Sequence, residues 1–288
     1  MKTALMSLCL AGALGGQAPF AFRDMDGRSL ELTDGGQPVL VYNHGLIRKE
    51  GAPADRARCC YLHPVYAPDG TVVTDDFPRD HYHHRGISWM WPVVRIEGTQ
   101  YDLWTLRGIR TQFVRWTRRE AGADSARLGI ENGWYTGERK AAREIVDIVA
   151  WHVKDGRRNL DLTLRFEALE RPIEIVGEPA QKKGYGGLSF RFAPREDTVI
   201  RTDAGLEKAD SNMAAHPWAE LEGLFAGRRA GARVTIDPGH PGYPNGWCLR
   251  HYGFLGVNYP GLEPHTLVPG RPLELKYRIT LYAGASGR

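Results

Sequence analysis

The chain has 288 residues, 42% of them hydrophobic, and sets 38 Lys and Arg against 34 Asp and Glu with the two signs interspersed. That length and apolar content can bury a sizeable core, as one large all-β domain or two smaller ones. There is no basic stripe or RNA-binding motif, which argues against a nucleic-acid partner, and no stretch reaches the ~20 apolar residues of a spanning helix, so no membrane span is expected.

Lys2, the apolar run from Ala4 to Leu14 and the small residues around Gly16-Gln17-Ala18 read as an export signal. The expectation is a signal peptide over 1–18 and a single β-sandwich domain over 19–288, periplasmic or secreted. Cys9 lacks the preceding small residues of a lipoprotein cleavage site, which leaves Cys59, Cys60 and Cys248 after cleavage. Adjacent cysteines rarely bridge each other, and a link from one of them to Cys248 stays open. No CxxC pair exists to bind zinc.

Downstream, period-two alternation predicts strands at 39–42, 87–94, 111–116 and 145–153. Leu160, Leu162, Leu164 and Phe166 alternate with Asp161, Thr163, Arg165 and Glu167, the pattern of a half-buried strand. Leu188, Phe190 and Phe192 repeat it, further strands are expected at 233–237 and 254–258, and a long alternation runs from Leu273 to Leu281. Turn signals such as Pro68-Asp69-Gly70, Asp155-Gly156 and Pro269-Gly270 separate them. No long amphipathic helix, linker or repeat is visible, so the fold class is all-β, a large β-sandwich.

The densest chemistry lies at Asp80-His81-Tyr82-His83-His84-Arg85-Gly86, which holds three of the ten histidines. Imidazole serves as acid, base or metal ligand near neutral pH. If the segment is extended, His81 and His83 share one face and His84 takes the other. The HxH spacing also opens cupin metal sites, but the Glu expected a few residues on is missing, the next acid being Glu97. A second cluster, from Asp237 to Tyr252, mounts His240, Trp247, Arg250 and His251 on a Pro/Gly-rich loop, where an indole could stack on a sugar face. A third, Lys182 to Gly187, could carry Lys183 and Tyr185 to the site on a glycine hinge; it lacks the GK[ST] ending of a phosphate loop. Glu220 and Glu222 alternate with apolar neighbours as on a strand, and either could be a general base. GxSxG is absent.

The stretch Tyr61-Leu62-His63-Pro64-Val65-Tyr66-Ala67-Pro68-Asp69-Gly70, followed by Asp80 to Gly86, resembles a bacterial family of unknown function labelled methane oxygenase PmoA-like. Lys183 to Gly187, Trp218 to Gly223, and His240-Pro241 through Pro244, Trp247 and Arg250 continue the resemblance in the same order. The activity in that label is rejected, because a membrane methane monooxygenase subunit carries several spanning helices and this sequence has none. The resemblance implies a galactose-mutarotase-like super-sandwich from bacteria that degrade polysaccharides. In such enzymes a histidine acid and a carboxylate base act at a sugar's anomeric centre. Carried onto this chain, His83 and His84 take the acid or substrate-binding role and Arg85 steadies sugar oxygens.

Three functions compete. The first is a carbohydrate-active enzyme (hydrolase, lyase or epimerase-like) without a cofactor, with His83, His84 and Glu220 catalytic and His81, Arg85, Lys183, Tyr185, His240, Trp247, Arg250 and His251 binding a carbohydrate or glycoside. The second is a metal-dependent enzyme, with a divalent metal on His81, His83 and His240 or His251. The third is a non-catalytic carbohydrate-binding protein.

Overall fold

The alternating run at 160–166 is the middle of a longer strand, Arg157–Ala168, along which buried and half-buried residues alternate. It pairs antiparallel with Leu273–Ala283, placing Leu162 opposite Tyr277 and Leu164 opposite Leu275. This ladder is the middle of a nine-stranded sheet in a computed structural model that describes residues 19–285. The sheet runs outward through Arg139–Trp151 and Ser125–Thr136 on one side, and through Arg228–Ile236 and Trp218–Phe225 on the other.

A second nine-stranded sheet carries Tyr61–Val65, Ile87–Met90, Gly187–Arg191, Phe254–Val257, Gly246–Arg250 and Ser211–Ala215 side by side in that order. A four-stranded sheet, built around Ile173–Val176 and Val93–Ile96, completes the fold. The strand expected at 87–94 is therefore two strands in different sheets. The chain leaves one sheet at Trp91-Pro92, where proline has no N–H to give a ladder. One hydrophobic cluster extends from Phe20 to Leu281. Among the described residues no helix is long and apolar enough to cross a membrane. The expected signal peptide, residues 1–18, lies outside the described residues.

The two large sheets are joined in the core by one carboxylate. Glu144, 1% exposed, accepts the indole N–H of Trp89 from the facing sheet at 2.8 Å, and those of Trp134 at 2.8 Å and of the Asn132 amide at 2.7 Å from its own. Burial pushes its pKa up, and the three donors are what make a buried carboxylate tolerable there. The strand bearing Trp89 leads directly out of the histidine segment.

Candidate functional site

Residues 78–84 are not extended but fold as two successive turns: the His81 N–H donates to the Pro78 carbonyl at 3.0 Å and the His84 N–H to the His81 carbonyl at 2.8 Å. An extended segment would send His84 away from His81. The turn instead stacks the His81 ring on His84, with centroids 4.6 Å apart and planes 8° apart, and sets His83 edge-on to His84 at 4.6 Å. All three imidazoles thus line one cavity of about 310 Å³, within the usual range for small-ligand sites.

Arg85 builds this turn from behind. Its guanidinium donates to the carbonyls of Tyr82 at 2.7 Å and His84 at 2.6 Å, and also to that of Arg56. It faces Asp76 at 3.4 Å and lies 3.4 Å over the Phe77 ring. At 1% exposure it is a positioning residue, and the sugar-steadying role expected of it is not the one its geometry supports. Gly86 has a local reason to be glycine: a Cβ there would sit 2.2 Å from the Leu62 carbonyl oxygen.

The rest of the lining comes from three other segments. Tyr252 stacks on His81 at 5.2 Å and Phe254 on His84 at 5.0 Å, so the imidazoles lie between two aromatic rings. Trp104 meets His84 edge-on at 5.8 Å and Tyr185 at 5.0 Å. Lys183 and Arg250 supply positive charge and make their hydrogen bonds to neutral acceptors, the Gln181 side chain and the carbonyls of Ser211 and Leu249. No carboxylate is among the lining residues. Asp80 stands beside the cavity, accepting from His81 Nδ1 at 3.0 Å and from Arg191 at 2.8 and 2.9 Å. The bond to Asp80 fixes the His81 tautomer and leaves its Nε2 for a ligand.

Burial, reinforced by His81, Arg58 and Arg56, depresses the His83 pKa to about 4. Burial beside His83 and His81 depresses that of His84 further still. Burial also raises the phenols of Tyr185 and Tyr252 to about 12. Near neutral pH the cavity therefore presents neutral imidazoles at His83 and His84 and protonated phenols at Tyr185 and Tyr252. The Nδ1 of His84 is buried without a hydrogen-bond partner, and such an atom is costly to leave unmet.

Of the residues predicted from sequence, His81, His83, His84, Lys183, Tyr185 and Arg250 converge on the cavity. The others do not line it. On the strand Gly246–Arg250, Cys248 and Arg250 face the cavity, so period two turns Trp247 the other way. Trp247 is fully buried and its indole donates to the His216 carbonyl at 2.7 Å. His240 is a satisfied core histidine, its Nδ1–H donating to the Pro241 carbonyl at 2.8 Å and its Nε2 accepting from the Tyr277 hydroxyl at 2.9 Å. His251 is held by Asp210 at 2.9 Å and by the Glu207 carbonyl at 3.1 Å.

Glu220 lies on the other large sheet, between cross-strand partners Arg201 and Arg233, with Arg233 Nε at 3.0 Å. It is 0% exposed and held in a cross-strand ion cluster, far from the role of base expected of it. Replacing Glu220 with Gln is expected to leave any turnover unchanged while lowering the unfolding midpoint, since it breaks a buried pair; enzyme assay beside thermal melting checks both halves.

Sequence reasoning missed Trp104, Cys248, Tyr252 and Phe254 as lining residues. Trp104 arrives on a turn with no local signal. Cys248 could have been found by following the alternation back from Arg250, whereas Phe254 lies beyond a turn and reaches the cavity as the cross-strand partner of Arg250.

The metal arrangement drawn from His81, His83 and His240 or His251 does not form. His240 and His251 are engaged elsewhere, by the Tyr277 hydroxyl and by Asp210. Among the described residues no group of three or more His, Cys, Asp or Glu side chains could hold a metal ion.

Fold and site together define an antiparallel β-sandwich protein with an imidazole-lined, cation-bearing cavity on one large sheet. The chain belongs to a family of unknown function, DUF6807, whose pattern matches residues 29–288. No curated protein matches it. Among solved structures it is similar to a heparan sulfate lyase mutant from Pedobacter heparinus, at 8% identity and a TM-score of 0.42, covering 99% of this chain and 38% of the lyase. It is also similar to a galactose mutarotase related enzyme from Lactobacillus acidophilus, at 8% identity and TM-score 0.37, covering 92% and 97% of the two chains. A third is a GalM/aldose epimerase homologue from C. elegans, at 6% identity and TM-score 0.38, covering 94% and 100%. This chain thus spans well under half the length of the lyase. Likeness at these scores says nothing about the site.

Proposed function

We propose that the protein is an exported carbohydrate-active enzyme whose substrate is an acidic sugar, and that proton transfer passes between imidazole and phenol instead of between imidazole and carboxylate. One observation carries this reading: a single cavity combines the neutral His83 and His84, the protonated Tyr185 and Tyr252, and the cations Lys183 and Arg250. Aromatic walls suit the apolar face of a sugar ring, and the cations suit a carboxylate. Export is part of the proposal and rests on Lys2 and the apolar run that follows. The resemblance to PmoA-like sequences belongs to it in the same way, through the polysaccharide-degrading context it implies.

The chemistry follows from the charges. Lys183 and Arg250 neutralise the sugar carboxylate, which makes the C–H beside it more acidic. A neutral imidazole takes that proton, and a phenol gives one to the departing glycosidic oxygen as its C–O bond breaks and a C=C bond forms. An anion in the cavity also favours imidazolium, lifting the depressed histidine pKa toward the range where a general base works best.

Turnover of uronate-containing oligosaccharides, followed through the near-ultraviolet absorbance of the unsaturated product, tests the reading. Activity is expected on uronates, not on their neutral counterparts, and is expected to vanish in the Lys183→Ala, Arg250→Ala double variant. Equal activity on neutral sugars, or none on any uronate, would overturn it. Because the His83 pKa is depressed, the base stays unprotonated as pH falls, so the acid limb of kcat/KM should lie near pH 4 and not near 6.5. A limb at 6.5 would show that another group is the base.

A further inference from the structure

Outside the sugar cavity, the most reactive arrangement is Cys59-Cys60. In an extended chain adjacent side chains point to opposite sides. Here Cys60 takes a φ of 66°, in the left-handed region, and the two Sγ atoms lie 3.1 Å apart. The two thiols have unlike surroundings. Cys59 lines a cleft of about 680 Å³ with His44, Leu46 and Phe113, where Leu46 is 49% exposed. Cys60 lies behind it on the core side, where burial lifts its thiol well above the usual range. Cys59 is lowered by its hydrogen bond with Cys60, which leaves the cleft-facing sulfur the better nucleophile. Cys248 lines the sugar cavity and is free.

We propose that Cys59 and Cys60 form a reversible dithiol/disulfide site that reacts with small-molecule disulfides entering the His44–Phe113 cleft. The Cys59 thiolate attacks one sulfur of R–S–S–R, the R–S–S–R bond breaks, and one RSH leaves after taking a proton from solvent. The Cys60 thiolate then attacks Cys59 Sγ and expels the second RSH. Two cysteines are oxidised to one disulfide, and one small disulfide is reduced to two thiols. Adjacent residues hold their Cα atoms about 3.8 Å apart, short of the ~4.4–6.8 Å of a relaxed disulfide. The ring formed is therefore strained and easily reduced, which makes the site reversible and not a structural staple. This assignment is independent of the sugar reading.

The test treats the reduced, folded protein with oxidised glutathione at neutral pH, followed by mass spectrometry of intact protein and peptides. The expected product has lost one pair of hydrogen atoms, carries no adduct, links Cys59 to Cys60 and reverts with dithiothreitol. Cys60→Ser should trap glutathione on Cys59. A second measurement needs no variant: phenylarsine oxide should condense with the wild-type pair, losing water, to leave one arsenic per chain. Glutathione adducts alone on the wild type, a link to Cys248, no arsenic uptake, or reaction only after denaturation would each overturn the proposal.

Discussion

Replacing His83 with Gln is expected to lower turnover by about 10²- to 10⁴-fold, the contribution of a positioned acid–base group, while the unfolding midpoint moves little. His83 is the discriminating position because it is only partly buried, edge-on to His84 and 5.6 Å from His81, so its removal leaves the stack intact. His84 is different. It is 4% exposed and packed between His81 and Phe254, and truncating it opens a hole in the stack as well as removing an imidazole. A loss in the His84 variant alone would thus speak to packing, whereas a loss in folded His83→Gln speaks to chemistry. Kinetics beside thermal melting on both variants separates the cases. Full activity in His83→Gln would remove His83 from the mechanism.

The second large effect is expected on stability. Arg85→Met should cost about 3–5 kcal/mol, the usual loss when one member of a buried pair is removed. The carboxylate of Asp76 would be left facing an apolar side chain, and the carbonyls of Tyr82, His84 and Arg56 would lose a shared donor. Asp76 already sits at about 6, raised by burial and pulled back down by Arg85. Without that pull it rises further, and the folded state holds a proton that the unfolded chain gives up above its ordinary carboxylate pKa. The variant should therefore lose relatively more stability as pH increases through the raised value. Lysine is not expected to rescue it, because a point charge cannot reproduce a planar fork reaching several carbonyls. Denaturant titration of both variants at pH 5 and 8 measures this; a change within ~0.5 kcal/mol would mean that Arg85 does not hold the turn.

Period two made the strands legible. Arg157–Ala168, Leu273–Ala283 and Arg139–Trp151 alternate because each has one face on the core and one toward solvent. The same rule found Gly187–Arg191 and Ile87–Met90, although both are buried throughout, and failed at Ser125–Thr136, where two glycines and a mixed run hide a strand. Half of the site was legible because His81, His83 and His84 are close in sequence and a turn keeps them close in space. Their common orientation was not, since it depends on two local hydrogen bonds and on Arg85 behind them. Glu220 misled for a physical reason: alternation places a carboxylate on a sheet face, but only cross-strand register shows that Arg201 and Arg233 already occupy it. Trp247 misled for the opposite reason. Its stiff loop suggested presentation to a ligand, while strand parity turned it into the core.

The most direct measurement is a crystal structure with a uronate-terminated oligosaccharide bound. The sugar carboxylate is predicted at Lys183 and Arg250, with the ring against Trp104 and Tyr252 and the acidic C–H turned toward His83. A sugar seated instead in the Tyr277–Arg278 groove or the His44–Phe113 cleft, with the imidazole cavity left free, would contradict the account.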